Sequence, residues 1–231
     1  MTALIISGGD YSPVPDLSCD YVIACDLGYL HAEKMGIRPD LILGDFDSAP
    51  VPDGKIPVEQ HPVRKDDTDT MLAVKKALSL GYADLVIACA FGGRLDHAYA
   101  NIQAGAYAAE QGAVVRLCGT DTEAWIFCDR TLEFPRRDGY SFSVFSVSDS
   151  CSVSVSGAEY ECDNLLILNN FPIGISNEWK ADQITVSVDG GVLLVMECRE
   201  RKGSSPSFPG NEKGRPHRSR PHRSQDRILG G

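Results

Sequence analysis

Two carboxylates stand at alternate positions in Gly44-Asp45-Phe46-Asp47-Ser48, directly after the apolar run Leu41-Ile42-Leu43. In an extended segment residues i and i+2 point the same way, so Asp45 and Asp47 share one side. Like charges that close repel, and loss of water worsens the repulsion. A hard cation resolves the conflict. Mg²⁺ takes oxygen ligands, keeps several waters, and is commonly shared between one or two carboxylates and the phosphates of a substrate. Taken alone, the same five residues read equally well as a turn with two solvated aspartates.

A second acidic group, Lys65-Asp66-Asp67-Thr68-Asp69, opens a helix-like stretch at 68–80. Acids favour a helix N-terminus through capping and the helix dipole. Three carboxylates exceed what capping needs, and Lys65 is placed to meet a phosphate. Asp66 and Asp69 are the expected metal or water-shell ligands, with Asp67 as cap or spacer. A third group is Gly92-Gly93-Arg94-Leu95-Asp96-His97. Paired glycines before a helix let the backbone approach a phosphate, whose charge the helix N-terminus favours. Arg94 can fork onto phosphate oxygens. Asp96 can hydrogen-bond an acceptor or orient its hydroxyl. His97 reads as a general acid/base or, more simply, as a first-turn or packed residue. These groups suit transfer of a phosphoryl-type group, which depends on positioning and charge stabilisation. No Gly-x-x-x-x-Gly-Lys-Ser/Thr run occurs, which excludes a P-loop enzyme.

The elements that must hold these groups follow from the hydrophobic pattern. Residues 1–118 alternate short apolar runs (3–7, 21–25, 41–43, 85–90 and 114–117) with helical stretches near 28–35, 68–80 and 95–111. In the last, Leu95, Ala98, Ile102 and Ala106 recur at helical spacing. Strand–helix alternation predicts an α/β domain with a mostly parallel sheet, Rossmann-like, whose ligands bind at the carboxyl ends of the strands. From about 122 short β runs follow one another, at 123–128, 140–147, 152–155, 165–168, 184–188 and 192–196. Turn residues such as Asp189-Gly190-Gly191 separate them. These predict an antiparallel β-sandwich or barrel. The expected division is 1–125, 126–200 and a tail at 201–231.

The tail repeats Arg-Pro-His-Arg-Ser at 215–219 and 220–224 and holds few large apolar residues, so disorder is expected there. It carries eight Lys/Arg and two Asp/Glu of a chain whose net charge is -10, leaving 14 basic and 30 acidic residues in 1–200. An acidic body argues against nucleic-acid partners and suits divalent cations. No apolar run is long enough to span a membrane, and the first residues read as a strand and turn instead of a signal peptide, which places the chain in the cytoplasm. None of the eight cysteines forms a Cys-x-x-Cys pair, and several lie in apolar runs, so buried free thiols are expected.

With these motifs in order, the chain resembles the thiamine pyrophosphokinase (thiamine diphosphokinase) family. The resemblance rests on Cys25-Asp26-Leu27-Gly28, Gly36-Ile37-Arg38-Pro39-Asp40, Gly44–Ser48, Lys65–Asp69, Gly92–His97 and Gly174-Ile175-Ser176-Asn177-Glu178. It implies an α/β catalytic domain, a β-sandwich domain and a homodimer with active sites at the interface. The implied reaction moves the pyrophosphoryl group of ATP onto the hydroxyl of thiamine, giving thiamine diphosphate and AMP. Asp45, Asp47, Asp66 and Asp69 would hold Mg²⁺, and Asp45, Asp47, Asp69, Arg94 and Asp96 would be catalytic. Asp26, Gly28, Lys65, Gly92, Gly93 and Arg94 would seat ATP. Asp96, Ser176 and Asn177 would contact thiamine, and Tyr160 and Trp179 either stack on its rings or pack. One departure stands out: the family often has Asp-Gly-Gly where this chain has Asp26-Leu27-Gly28. Two other readings compete. An apolar strand followed by Asp-x-Asp also resembles a haloacid-dehalogenase-type phosphatase, and Leu27 would suit a non-catalytic thiamine or nucleotide sensor.

Overall fold

A computed structural model describes residues 1–14, 18–44, 56–61 and 67–200. The aliphatic runs become β1 (Thr2–Ile6), β2 (Tyr21–Cys25), β3 (Leu41–Gly44), β4 (Val58–Gln60), β5 (Asp84–Ala88) and β6 (Val114–Cys118). These six pair in parallel in the order β4-β3-β2-β1-β5-β6. Three helices connect them: α1 (Gly28–Met35), α2 (Asp69–Ser79) and α3 (Leu95–Glu110). Ile5, Ile23, Leu43 and Ile87 face Ala73, Val74, Ala77, Ala104 and Ala108 of α2 and α3. Leu4, Ile6, Val22 and Val86 pack on the other face with Ala32 of α1. Burial on both faces explains why these strands read as continuous apolar runs instead of alternating ones. Each buried Leu or Ile contributes about 1.5–3 kcal/mol.

The chain builds outward from β1 through β2 and β3 to β4, then returns to the other side of β1 as β5. The loops leaving β1 and β5 therefore part in opposite directions and open a crevice at the carboxyl ends of the strands. The helix termini are locally encoded. Gly36 ends α1 in a left-handed conformation (φ 70°), and Thr68 caps α2, its Oγ1 accepting from Met71 N at 3.1 Å. Of the two roles expected for Asp67, cap or spacer, Thr68 takes the cap; the Asp67 carboxylate accepts from Lys75 Nζ at 2.7 Å. On α3 the fully buried face is Asn101, Ala104, Gly105, Ala108 and Ala109, while Leu95 is 84% exposed. The apolar spacing Leu95–Ala106 therefore marks a flank of the helix and not its core face. The small residues one step round let α3 approach the sheet, with Ile126 of the next strand filling the space beside Gly105.

Beyond β6 the sheet continues antiparallel. Its strands are β7 (Thr122–Pro135), β8 (Tyr140–Ser146), β9 (Ser150–Ser156), β10 (Cys162–Leu168), β11 (Gly174–Asn177) and β12 (Gln183–Arg199). Asp189-Gly190-Gly191 is not a turn between two strands. It is a register shift inside one 17-residue strand, β12, between Val188 and Val192. Gly190 takes φ 68°, Asp129 on β7 takes φ 47°, and Asp129 Oδ1 accepts from Gly190 N at 2.8 Å. The two longest strands bend together at this bulge. One half of β12 pairs with β9 and the other with β8, while β7 runs along both halves. A second core of Phe127, Phe142, Val153, Ile167, Trp179, Val186 and Leu193 lies within this part.

A charged cluster sits where the two parts of the sheet join. Arg137 Nη1 donates to Glu123 Oε2 at 3.0 Å and to Glu197 Oε2 at 2.9 Å, and Arg116 Nη2 donates to Glu123 Oε1 at 2.8 Å. Glu197 is 2% exposed. Burial raises its pKa, and Arg137 opposes that rise. All eight cysteines are free, as expected for a chain without Cys-x-x-Cys pairs. No helix among the described residues is long and apolar enough to cross a membrane. The tail lies outside the described residues.

Candidate functional site

A cleft of about 560 Å³ opens at the crevice beside β1. It is walled by the loops after β1 (Ser7 to Asp10), β2 (Cys25 to Leu27) and β5 (Ala90 to Arg94) and by the N-terminal turns of α2 and α3. Backbone geometry brings these walls close. Asp26 adopts φ 43°, unusual for a residue with a side chain, and its N–H donates to Leu43 O at 2.9 Å. Gly44 makes room for this bend: a Cβ there would lie 3.2 Å from Asp26 Cα. A strained aspartate held at a strand end is a frequent mark of a functional position.

Of the expected site residues, Asp26, Asp69, Gly92, Gly93 and Arg94 line the cleft with His97, whereas Asp96 does not. Nor does Gly28. Its missing Cβ would lie 2.0 Å from Ile6 O, so this glycine serves the packing of α1 on β1. Leu27 presents a side chain to the cleft in its place. Asp45, Asp47, Lys65 and Asp66 lie outside the described residues. Behind the cleft, Ser7 Oγ and Thr70 Oγ1 share a buried hydrogen bond of 3.0 Å, and Asn101 Nδ2 donates to Ala90 O at 2.8 Å. These bonds tie the ends of β1 and β5 to the two helices that carry the acidic and glycine motifs.

Arg94 and Asp96 meet each other. Arg94 Nε donates to Asp96 Oδ1 at 3.1 Å and Nη2 to Oδ2 at 2.6 Å, with both side chains mostly exposed. That fork holds the Asp96 carboxyl below the usual range. A carboxylate so stabilised orients a hydroxyl better than it removes its proton.

Ser176 and Asn177 lie on β11, in the antiparallel part, and do not line the cleft. Asn177 Oδ1 accepts from Tyr160 N at 3.0 Å and Glu178 N at 2.9 Å, and its Nδ2 donates to Tyr160 O at 2.8 Å. Its amide therefore fixes the turn that displays Tyr160, which is 71% exposed. Trp179 is a packing residue. It is 7% exposed, donates Nε1–H to Phe134 O at 3.2 Å and meets Phe142 edge-on at 5.0 Å.

Asp10 is the lining residue that the motif spacing does not single out. Its only sequence signal is its place after Gly8-Gly9 at the end of a predicted strand. The carboxylates around the cleft come from Asp10, Asp26, Asp67 and Asp69, with His97 and Cys25 also in its lining. They fit Mg²⁺ held partly through phosphates and water. Among the described residues, no three acidic, histidine or cysteine side chains converge into a ready-made metal cluster.

Comparison with known proteins gives this geometry a family. Residues 17–117 match the family model "Thiamin pyrophosphokinase, catalytic domain", and residues 129–193 match "Thiamin pyrophosphokinase, vitamin B1 binding domain". The chain is 27% identical over 214 residues to a thiamine pyrophosphokinase of Bacillus subtilis, covering 86% of this chain and 99% of the relative. A crystal structure of thiamine pyrophosphokinase from Bacillus subtilis shares the fold, with a TM-score of 0.76 at 24% identity over 87% of this chain and 100% of the other. A thiamin pyrophosphokinase from Candida albicans does so with a TM-score of 0.68 at 14% identity over 85% and 88%. Two family models, matched in order and together taking in more than half of the residues, show that this chain belongs to the thiamin pyrophosphokinase family.

Proposed function

We propose that the protein is a thiamine pyrophosphokinase, an enzyme that transfers the pyrophosphoryl group of ATP to thiamine. The observation that carries this reading is the cleft at the carboxyl ends of β1, β2 and β5. It combines aspartates from three elements with a glycine turn and an arginine at a helix N-terminus. The family assignment favours neither the phosphatase nor the sensor.

In this reading Gly92, Gly93 and the first amides of α3 cradle phosphate, and Asp26 and Lys65 complete the ATP site. Asp45, Asp47, Asp66 and Asp69 are the residues that would hold Mg²⁺. Bound there, Mg²⁺ would neutralise charge on the triphosphate. The hydroxyl oxygen of thiamine forms a bond to the β-phosphorus while the bond from that phosphorus to the α–β bridging oxygen breaks. AMP leaves, and the hydroxyl proton is released. Asp96, oriented by Arg94, aligns the hydroxyl.

Residues 1–125 would form the catalytic domain and 126–200 a sandwich-like domain that binds thiamine near Ser176 and Asn177. Since these two residues lie outside the cleft, a second copy of the chain would bring them to it. Exposed apolar side chains support such a homodimer: Leu95 and Tyr99 beside the cleft, and Leu166, Phe171, Ile173 and Ile175 around β10 and β11. A cytoplasmic setting suits the use of ATP. The test is incubation with ATP, Mg²⁺ and thiamine, with products identified by mass. AMP and thiamine diphosphate in equal amounts are expected. Phosphate release from monoesters without ATP would support the phosphatase, and binding without turnover the sensor.

A further inference from the structure

The Gly8-Gly9-Asp10 loop is held more firmly than a solvent-facing turn requires. Gly9 N donates to Cys89 O at 3.1 Å, and Asp10 N donates to Phe91 O at 3.1 Å. His31 Nε2 donates to Gly9 O at 2.9 Å. Just beyond, Ser12 is 1% exposed and its N–H donates to Cys89 Sγ at 3.5 Å. These bonds fix the backbone at Asp10, whose exposed side chain lies against the glycine turn. A Cβ on Gly92 would lie 2.4 Å from Asp10 Cγ and 2.4 Å from Oδ2, and one on Gly93 would lie 3.8 Å from Oδ1. Gly92 also holds φ 89°, so its position tolerates no side chain on either ground.

A phosphate seated on this turn would have a carboxylate at its side. Two anions so close repel. No described cationic side chain is ion-paired with Asp10, and Arg94 is already forked onto Asp96. A carboxylate placed beside a phosphate cradle by a fixed backbone is coherent if a cation lies between them. We infer that Asp10 is a further ligand, direct or through one water, of the divalent cation that accompanies the phosphates. The inference rests on the nucleotide reading of the cleft.

The Asp10→Asn variant removes the charge and keeps the size that fits Gly92. Binding of α,β-methylene-ATP, whose α–β bond cannot be cleaved this way, is measured by calorimetry with and without Mg²⁺. The Mn²⁺ dissociation constant is measured by electron paramagnetic resonance. Without metal the variant should bind the analogue about threefold more tightly, because an anion beside the phosphate is gone. With Mg²⁺ it should bind about tenfold more weakly, and its Mn²⁺ constant should rise by a similar factor. A change of sign with metal is beyond a purely structural role. Asp10→Ser, smaller and uncharged, should show the same reversal if the Asn variant is poorly folded.

Equal weakening with and without metal would overturn the inference and make Asp10 a hydrogen-bonding or structural residue. Unchanged nucleotide and metal binding with a raised KM for thiamine would also overturn it, in favour of contact with the acceptor's charged ring. The wild-type protein separates the two levels. Failure of the wild type to bind Mg²⁺ and the analogue would defeat the nucleotide reading itself, whereas failure confined to the Asp10 variants defeats only this assignment.

Discussion

Two charged clusters in this protein are built on opposite plans. At the joint between the parallel and antiparallel parts, Glu123 and Glu197 face Arg116 and Arg137, carboxylate for guanidinium, within hydrogen-bonding distance. In the cleft, Asp10, Asp26, Asp67 and Asp69 line a space together with Arg94, whose guanidinium bonds to Asp96. The first cluster pairs its carboxylates with guanidinium groups of the same chain and joins β6, β7 and β12. The second is carried on loops and helix starts that line an open cleft, where a ligand can reach it. The difference separates charge that specifies a fold from charge that specifies a ligand.

The largest effect is expected at the proposed metal ligands. Asp45→Asn and Asp47→Asn should each lower kcat/KM about a thousandfold, roughly 4 kcal/mol of transition-state stabilisation, while thermal unfolding stays near the wild type. Steady-state kinetics beside a melting curve checks both halves of that statement, and retained turnover in both variants would remove the metal assignment.

Arg137→Met should do the reverse, costing stability and not chemistry. Leaving Glu197 buried without its partner should cost about 3 kcal/mol at neutral pH. Because burial already raises the Glu197 pKa, protonation favours the folded state, so this contribution falls as pH rises above the ordinary carboxylate value. Loss of Arg137 steepens that fall. Denaturant titrations should therefore show the variant's deficit shrinking toward pH 5 and growing toward pH 8.

Gly92→Ala should touch both properties. Its positive φ and the Asp10 carboxylate in the place of a Cβ together predict a loss of about 2 kcal/mol in stability, with a raised KM for ATP. The smallest effect belongs to Lys75→Met. Its bond to Asp67 is short but partly open to water, so a denaturant titration should barely distinguish the variant from the wild type.

Most of the cleft was legible because its motifs are local. A strand end, a glycine pair and an acidic helix start can each be read from a few neighbouring residues, and the topology of a parallel sheet then gathers them. Asp10 escaped because its importance lies in contact with Gly92, 82 positions away, which no local pattern records. Leu95 misled for a similar reason: the helical period placed an apolar stripe correctly, but the sheet was approached by the alanines and Gly105 beside it. β12 was read as two strands because Asp-Gly-Gly signals a turn. Here the positive φ of Gly190 serves a bulge that Asp129 on β7 completes across the sheet. β4 and β11, three and four residues long, were not read as strands at all; they exist by pairing with β3 and β8. Asn177 was found by its motif, while its bonds to the Tyr160 backbone became visible only with the chain folded.

The central claim concerns which bond of the nucleotide is broken, and a labelled substrate tests it most directly. ATP carrying ³²P at the β position is incubated with thiamine, Mg²⁺ and the wild-type protein, and a parallel reaction uses the label at the α position. The β label should appear in thiamine diphosphate and the α label in AMP. Recovery of the β label in ADP, with thiamine monophosphate as the other product, would contradict pyrophosphoryl transfer.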